Sequence, residues 1–487
     1  MPRPGQGKLG NMSDQTSSSL TLPALRERFS GCGDFTERRI RYGLEGELSL
    51  PVLWLDGTVS GSALGLEILR PLTELLRAGR VRDAAGALDR ILAGGVYRCA
   101  VRRREALCEA AEDLCRGCCL LLFEELGCAL SFENKSEQRR AVGEPTLEKS
   151  LKGGKDAFTE TLRVNTALVR QRLATPELKL AESCLGRSSR TQVAVLYLED
   201  RVPRETLREL ARRLDALDPD ALLALGPLEE GLVDAPLSPF PQLLHTERPD
   251  RFAMQLSQGR IGLLVDGLPV GLLLPVTLSA FLQVTGDSSM HFLVSTTLTL
   301  LRWLALAVGT LLPAFYTAVA MYHQEMIPTR LLLSIIEAEQ DLPFSTALEV
   351  LGMLAAFSLL QEAGLRMPNP IGDTVSIIGA LIVGQSAVEA KVVSPIAIIV
   401  VAVSGIACYT LPSQDLGFAL RLVRLLLLLG AIFAGLYGVG LAVCLVLLHL
   451  ADLDSFGGSY TAPLSSGRPG ALARLLLRKP KGRRPKP

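Results

Sequence analysis

Three of the stretches that hold no charged residue for twenty positions or more read as membrane spans: Trp303 to Tyr322 (20), Val392 to Gln414 (23) and Leu425 to Leu448 (24). A helix that crosses a bilayer needs about 20 mostly apolar residues, so each run is long enough to span. Thr374 to Val388 adds 15 uncharged residues, extended by Ile371 and Gly372. Four spans are therefore expected, near 292–321, 371–390, 393–411 and 425–449. A fifth candidate, 344–366, has an uncharged core only from Val350 to Leu360, between Glu349 and Glu362. That length suits a buried or interfacial helix better than a lipid-facing one. Gly267 to Gly286 is also uncharged. There, Asp266–Gly267 is a hairpin turn signal after Ile261 to Val265, and Pro269 and Pro275 interrupt any helix.

Charge is divided unevenly along the sequence. Residues 290–450 carry 6 basic and 9 acidic side chains, 451–487 carry 8 and 2, and 1–289 carry 37 and 39. The reading is a soluble half, a charge-poor membrane block and a basic end. The overall net charge of +1 excludes a globally basic nucleic-acid binder. Residues 1–24 are Gly-, Ser- and Pro-rich without an apolar signal core, so residues 1–27 read as a disordered arm and the soluble half as not exported. The tail 451–487, with Arg478 to Arg484, reads as cytoplasmic. Both ends on one side require an even number of spans, which favours four. One feature disagrees: Arg421 and Arg424 then fall near the outer face.

The soluble half alternates strand-like and helical patterns. Leu50 to Leu55 ends at Asp56–Gly57, and Leu64 to Leu76 follows at helical spacing. Val193 to Leu198 precedes the amphipathic Arg204 to Leu217. Strand followed by helix, repeated, indicates an α/β region. Breaks at Glu144–Pro145 and Gly153–Gly154 divide it into subdomains 28–145 and 146–255. A hairpin and amphipathic helix then form a junction over 256–290, before the membrane domain at 291–450. Of the ten cysteines, Cys115, Cys118 and Cys119 form a C-x-x-C-C group. No second paired ligand motif and no nearby His accompany it, so structural thiols are expected rather than metal ligands. Gly153–Gly154–Lys155 lacks the spacing of a phosphate loop, and H-E-x-x-H and G-x-S-x-G are absent. No catalytic residue, cofactor or metal is expected, and the chain reads as a non-enzyme.

At residues 236–328 the wording becomes distinctive: Ser238–Pro239–Phe240–Pro241–Gln242, Thr246–Glu247–Arg248–Pro249–Asp250, Gly259–Arg260, Pro275–Val276–Thr277, and His323 to Pro328 as H-Q-E-M-I-P. Pro370–Ile371–Gly372, Gly384 to Val388, Val393–Ser394–Pro395 and Arg421–Leu422–Val423–Arg424 follow. In order, these motifs resemble the GerA family, the A subunits of bacterial spore germinant receptors. The soluble half is similar too, through Leu69–Arg70–Pro71–Leu72, Phe158–Thr159–Glu160 and Leu162 to Asn165. The family's Arg-Gly-Pro-Arg/Lys-Glu is replaced by Lys152–Gly153–Gly154–Lys155–Asp156, and the cysteine-rich 99–128 is atypical. The resemblance implies a place in the spore inner membrane, where the unexported N-terminal domain and the basic tail would then face the core. It implies a transporter-like B subunit that binds nutrient, a lipoprotein C subunit, and a homo-oligomer that forms a nutrient-gated cation channel. No nucleic-acid partner is implied.

Three residue sets follow as candidates. Thr374, Ile378, Leu381, Gln385 and Glu389 share one stripe of helix 371–390 and suit a pore with a carboxylate mouth and an apolar gate. Gly430, Ala434, Gly438 and Ala442 recur every four residues of the last span and suit close helix packing. Pro239, Pro241, Glu247 and Arg248 lie in a proline-braced junction, where Glu247 and Arg248 are expected to touch a neighbouring subunit. A lone secondary transporter and a membrane-anchored signalling scaffold are the competing readings. No internal repeat between the spans supports the transporter.

Overall fold

The structure is a computed structural model; it describes residues 19–42, 48–77, 83–96, 100–136, 143, 145, 148, 153–340, 342–366, 384–466 and 470. It divides into two compact units. One comprises residues up to 232 together with 245–274, and the other 233–244 together with 275 onward.

The first unit holds two five-stranded sheets. Strands β1 (Phe35–Tyr42), β2 (Leu48–Leu55), β3 (Val101–Arg104), β4 (Cys118–Phe123) and β5 (Cys128–Glu133) are arranged in the order β1-β2-β4-β5-β3. Neighbours pair antiparallel throughout. Helices α1 (Leu22–Arg28) and α2 (Leu107–Cys115) cover one face. Leu64, Ile68, Leu72 and Ile91 cover the other. With both faces covered, every residue from Cys118 to Phe123 is buried, which is why this strand reads as a continuous apolar run. Successive strand residues point to opposite faces. Cys119 therefore joins Cys128 on one side of the sheet, while Cys115 joins Cys32 on the other. The C-x-x-C-C group does not converge on a single point.

The second sheet runs β6 (Leu178–Leu185), β7 (Thr191–Leu198), β9 (Ile261–Val265), β10 (Gly271–Leu274), β8 (Leu244–Thr246). Helices α3 (Leu162–Arg172), α4 (Arg204–Ala216) and α5 (Pro249–Leu256) belong to the same lobe. Hairpin β9–β10 turns through Gly267, at φ +84. It was expected to belong to a junction, but it lies inside the sheet because β9 pairs with β7. Gly262 and Gly271 leave room for the Phe252 ring; a Cβ on Gly271 would lie 2.7 Å from it.

The two lobes are tied by a fully buried ion pair. Arg170 of α3 reaches both oxygens of Asp34, at 2.5 and 2.8 Å, and its Nη1 donates to Leu178 O. Burial pulls the guanidinium pKa down, but the adjacent Asp34 carboxylate outweighs it and holds Arg170 above its ordinary value. Gly33 N also donates to Leu180 O at 2.8 Å.

The second unit is helical: α6 (Phe292–Tyr322), α7 (Thr329–Glu339), α8 (Thr346–Arg366), α9 (Pro395–Tyr409) and α10 (Gln414–Asp452). Among described residues, α6, the Thr346–Ala363 part of α8 and α10 are long and apolar enough to cross a membrane. The region 344–366 thus has the length and composition of a span. Ser404 Oγ donates to Gly309 O at 2.7 Å, and Tyr316 packs with Val350, Val393 and Ala397. The N-terminal ends of α8 and α9 therefore lie together beside the later part of α6, and Phe357 meets Gly405 and Tyr409 further along. Helices α8 and α9 run alongside each other and opposite to α6.

α10 is not one rod. Ala434 (φ −140, ψ 19) and Gly435 (φ 59, ψ −140) leave the helical region. Leu416 and Leu450 line one apolar cavity of about 190 Å³. On a straight helix those residues would stand about 50 Å apart. A Cβ on Gly430 would lie 2.7 Å from Gly438 O, where a straight helix would separate the two by about 12 Å. The chain doubles back, and residues 414–433 and 436–452 form an antiparallel helical hairpin. Tyr322 OH donates to Ile432 O at 2.5 Å, which places the tip beside the C-terminal end of α6. The single span expected at 425–449 is corrected accordingly: a left-handed Gly435 lies in its middle.

Candidate functional site

The helical unit carries a structured collar at the ends of its hairpin. Gln242 clamps the proline-rich loop: its Oε1 accepts from Asp234 N and Ala235 N, both at 3.0 Å, and its Nε2 donates to Ala235 O at 2.6 Å. Pro241 O accepts from the buried Tyr460 hydroxyl at 3.0 Å. Ser238 Oγ lies 2.8 Å from His449 Nε2, and the Phe240 ring packs 6.0 Å from the same imidazole. Val276 N donates to Ser455 Oγ, and Leu278 N to Tyr460 O. The segment expected to be simply a basic tail from 451 onward therefore begins as a folded piece. It includes a short two-stranded hairpin pairing Asp454–Ser455 with Gly458–Ser459. Gln242 stood in the Ser238–Gln242 motif without a role assigned to it, and His449, Ser455 and Tyr460 were not singled out from the sequence. Tyr460, an aromatic in a Gly/Ser-rich stretch, offered a further signal.

The four junction residues divide between the units. Pro239 and Pro241 belong to the helical unit, Glu247 and Arg248 to the α/β unit. Arg248 is only 3 % exposed. Its guanidinium pairs with Asp250 at 2.6 and 3.0 Å and reaches the carbonyls of Glu148 and Gly154. The Asp250 carboxylate holds the Arg248 pKa above its ordinary value against the opposing effect of burial. Arg248 is thus engaged within its own unit. Glu247 contributes its carbonyl to Phe158 N at 2.7 Å.

Of the stripe proposed to line a pore, Thr374, Ile378 and Leu381 lie outside the described residues. Gln385 and Glu389 fall on the helical turns at 384–389. Gln385 Nε2 donates to Glu389 Oε1 at 2.9 Å, so the amide and carboxylate share an exposed face. The small-residue set is rearranged by the bend in α10. Gly430 and Ala434 are on the first arm and its turn, Gly438 and Ala442 on the second, and Gly430 faces Gly438 and Ala442 across the hairpin. The four do not form a ridge on one continuous helix. They let two arms of the same chain approach closely.

The helical surface is strongly apolar. Leu304, Leu359, Ile399, Ile406, Phe433 and Tyr437 are each 60 % exposed or more. Such an apolar exterior on long helices marks a membrane protein, here joined to an α/β domain.

The family model for "Bacillus/Clostridium GerA spore germination protein" matches residues 23–486. The chain belongs to the GerA family of spore germination proteins. It is 37% identical to spore germination protein B1 of Bacillus subtilis over 88% of this chain and 88% of that protein. It is 34% identical to the B. subtilis membrane protein YfkQ, over 92% and 86% of the two chains. A solved N-terminal domain of the A subunit of the Bacillus megaterium germinant receptor GerK3 matches with 27% identity and a TM-score of 0.41. It covers 52% of this chain and 92% of that one.

Proposed function

We propose that this chain is the A subunit of a spore nutrient germinant receptor, and that it oligomerises into a nutrient-gated cation channel in the spore inner membrane. The family match over residues 23–486 carries the receptor assignment, because it covers both the α/β and the helical unit. A transporter-like B subunit that binds the nutrient and a lipoprotein C subunit complete the receptor. The exposed Gln385–Glu389 pair supports the channel reading, since polar groups at membrane depth normally face a cavity or a partner.

The helix directions support a membrane topology of six crossings. α6 runs one way, α8 and α9 the other, and the arms of α10 contribute one crossing in each direction. Two successive helices in the same sense are accommodated by the span expected from the sequence at 371–390, which we propose as the return passage between them. An even count leaves the N-terminal domain and the tail on the same side, the spore core. It also puts Arg421 and Arg424 in the half of their arm nearest that side, in keeping with the positive-inside rule. A membrane-impermeant maleimide applied to intact membranes tests this arrangement. A cysteine introduced at Ser334 should label from outside and one at Ser465 should not; the opposite pattern refutes the orientation.

Channel variants test the mechanism. Ile378→Ala or Leu381→Ala should raise ion leak and spontaneous germination, and Glu389→Gln should lower cation conductance. Unchanged current in all three moves the pore to another helix.

A further inference from the structure

Buried carboxylates in apolar surroundings demand a compensating charge or a proton. Glu349 is in the first turn of α8 and only 3 % exposed. Its Oε1 accepts from Ser394 N, at the start of α9. Its Oε2 is buried without a well-formed hydrogen bond among the described residues, and so is the hydroxyl of Tyr316 on α6, although the Ser394 side chain lies close to both groups. The neighbouring acid Glu339 is engaged by Thr346 Oγ1 at 2.8 Å.

We propose that Glu349, Tyr316 and Ser394 form a binding site for one small monovalent metal cation at the meeting point of α6, α8 and α9. The donor set is entirely hard oxygen: a carboxylate, a phenol and a hydroxyl. Ser394 Oγ already accepts from Ala397 N at 3.2 Å and retains a further lone pair. One carboxylate supplies one negative charge, which matches an alkali ion; calcium sites use six to eight oxygens, usually with several acids. The site joins three helices, so an ion held there fixes the N-terminal end of α9 against α6 and α8. That this ion is the one conducted rests on the channel reading; that it binds does not.

The test is equilibrium binding of 22Na+ and 86Rb+ to the full-length chain in lipid nanodiscs. The wild type should bind one ion per chain saturably. Glu349→Gln preserves volume and an acceptor for Ser394 N, and should weaken binding at least tenfold; the isosteric Tyr316→Phe should weaken it severalfold. Absence of saturable metal-ion binding in the wild type, a proton alone on Glu349, or equal binding by wild type and Glu349→Gln would overturn the proposal. Ion binding without nutrient-triggered flux would refute the channel reading and leave this site standing. Flux that coexists with binding indifferent to Glu349→Gln would refute the site and leave the channel.

Discussion

The hairpin in α10 makes Gly438→Ala a sharply directional substitution. A Cβ at Gly438 would collide with the carbonyl of Gly430 on the opposite arm, and one at Gly430 would lie 2.7 Å from Gly438 O. Both obstacles are backbone atoms, so no flexible side chain can rotate away. Restoring an ordinary contact of roughly 3.4 Å at Gly430 requires the arms to separate by about 0.7 Å, and more at Gly438. Overpacking of this kind typically costs about 1–3 kcal/mol. Gly440, on the same arm, is the control, because a Cβ there meets nothing within 4 Å. Replacing a helical Gly by Ala without a clash gains up to about 1 kcal/mol. Reversible unfolding of the purified chain in mixed micelles, followed by tryptophan fluorescence, should rank Gly440→Ala at or above wild type and Gly438→Ala about 1–3 kcal/mol below it. Equal stability of the two variants would mean that the arms are not opposed at Gly430 and Gly438, and the hairpin would be wrong.

Asp34→Ala strands Arg170 as a buried, unpaired charge, a change that typically costs about 3–5 kcal/mol. Hydrogen exchange should show lost amide protection in both β1 and α3, whereas loss in only one would contradict their coupling. Burial pushes the Cys115 thiol up to about 12. Its contribution to stability is complete below the unfolded value of about 8.5 and is lost as pH rises from there towards 12. Mass spectrometry after alkylation at pH 8 should find the exposed Cys108 and Cys184 modified and Cys115 intact; early modification of Cys115 contradicts its burial. Pro239→Ala with Pro241→Ala should slow nutrient-triggered germination if the clamped loop couples the units, and an unchanged rate leaves it an inert linker.

The apolar runs and the Asp266–Gly267 turn were legible because each depends on local chemistry: an uncharged stretch of sufficient length and a turn that needs a left-handed residue. The bend at Ala434–Gly435 was obscured by the uninterrupted run from Leu425 to Leu448. Its signals were the length of the helical run from Leu416 to Leu450, charged only at Arg421 and Arg424 and too long for one crossing, and the aromatic pair Phe433 and Tyr437 flanking the turn. Both aromatics are about 80 % exposed, as interfacial rings commonly are. Strand order was not legible, because pairing of β7 with β9 joins residues some seventy positions apart and leaves no short-range pattern. Arg248 illustrates the same limit: a charged residue among prolines reads as surface, and only tertiary contacts with Asp250, Glu148 and Gly154 reveal its burial.

The central claim is tested most directly by reconstituting this chain with its B and C subunits in liposomes and recording cation flux on addition of germinant nutrients. The account predicts flux that requires both nutrient and this subunit, and that becomes nutrient-independent in Leu381→Ala. Nutrient-triggered flux of equal size from the B and C subunits without this chain would contradict it.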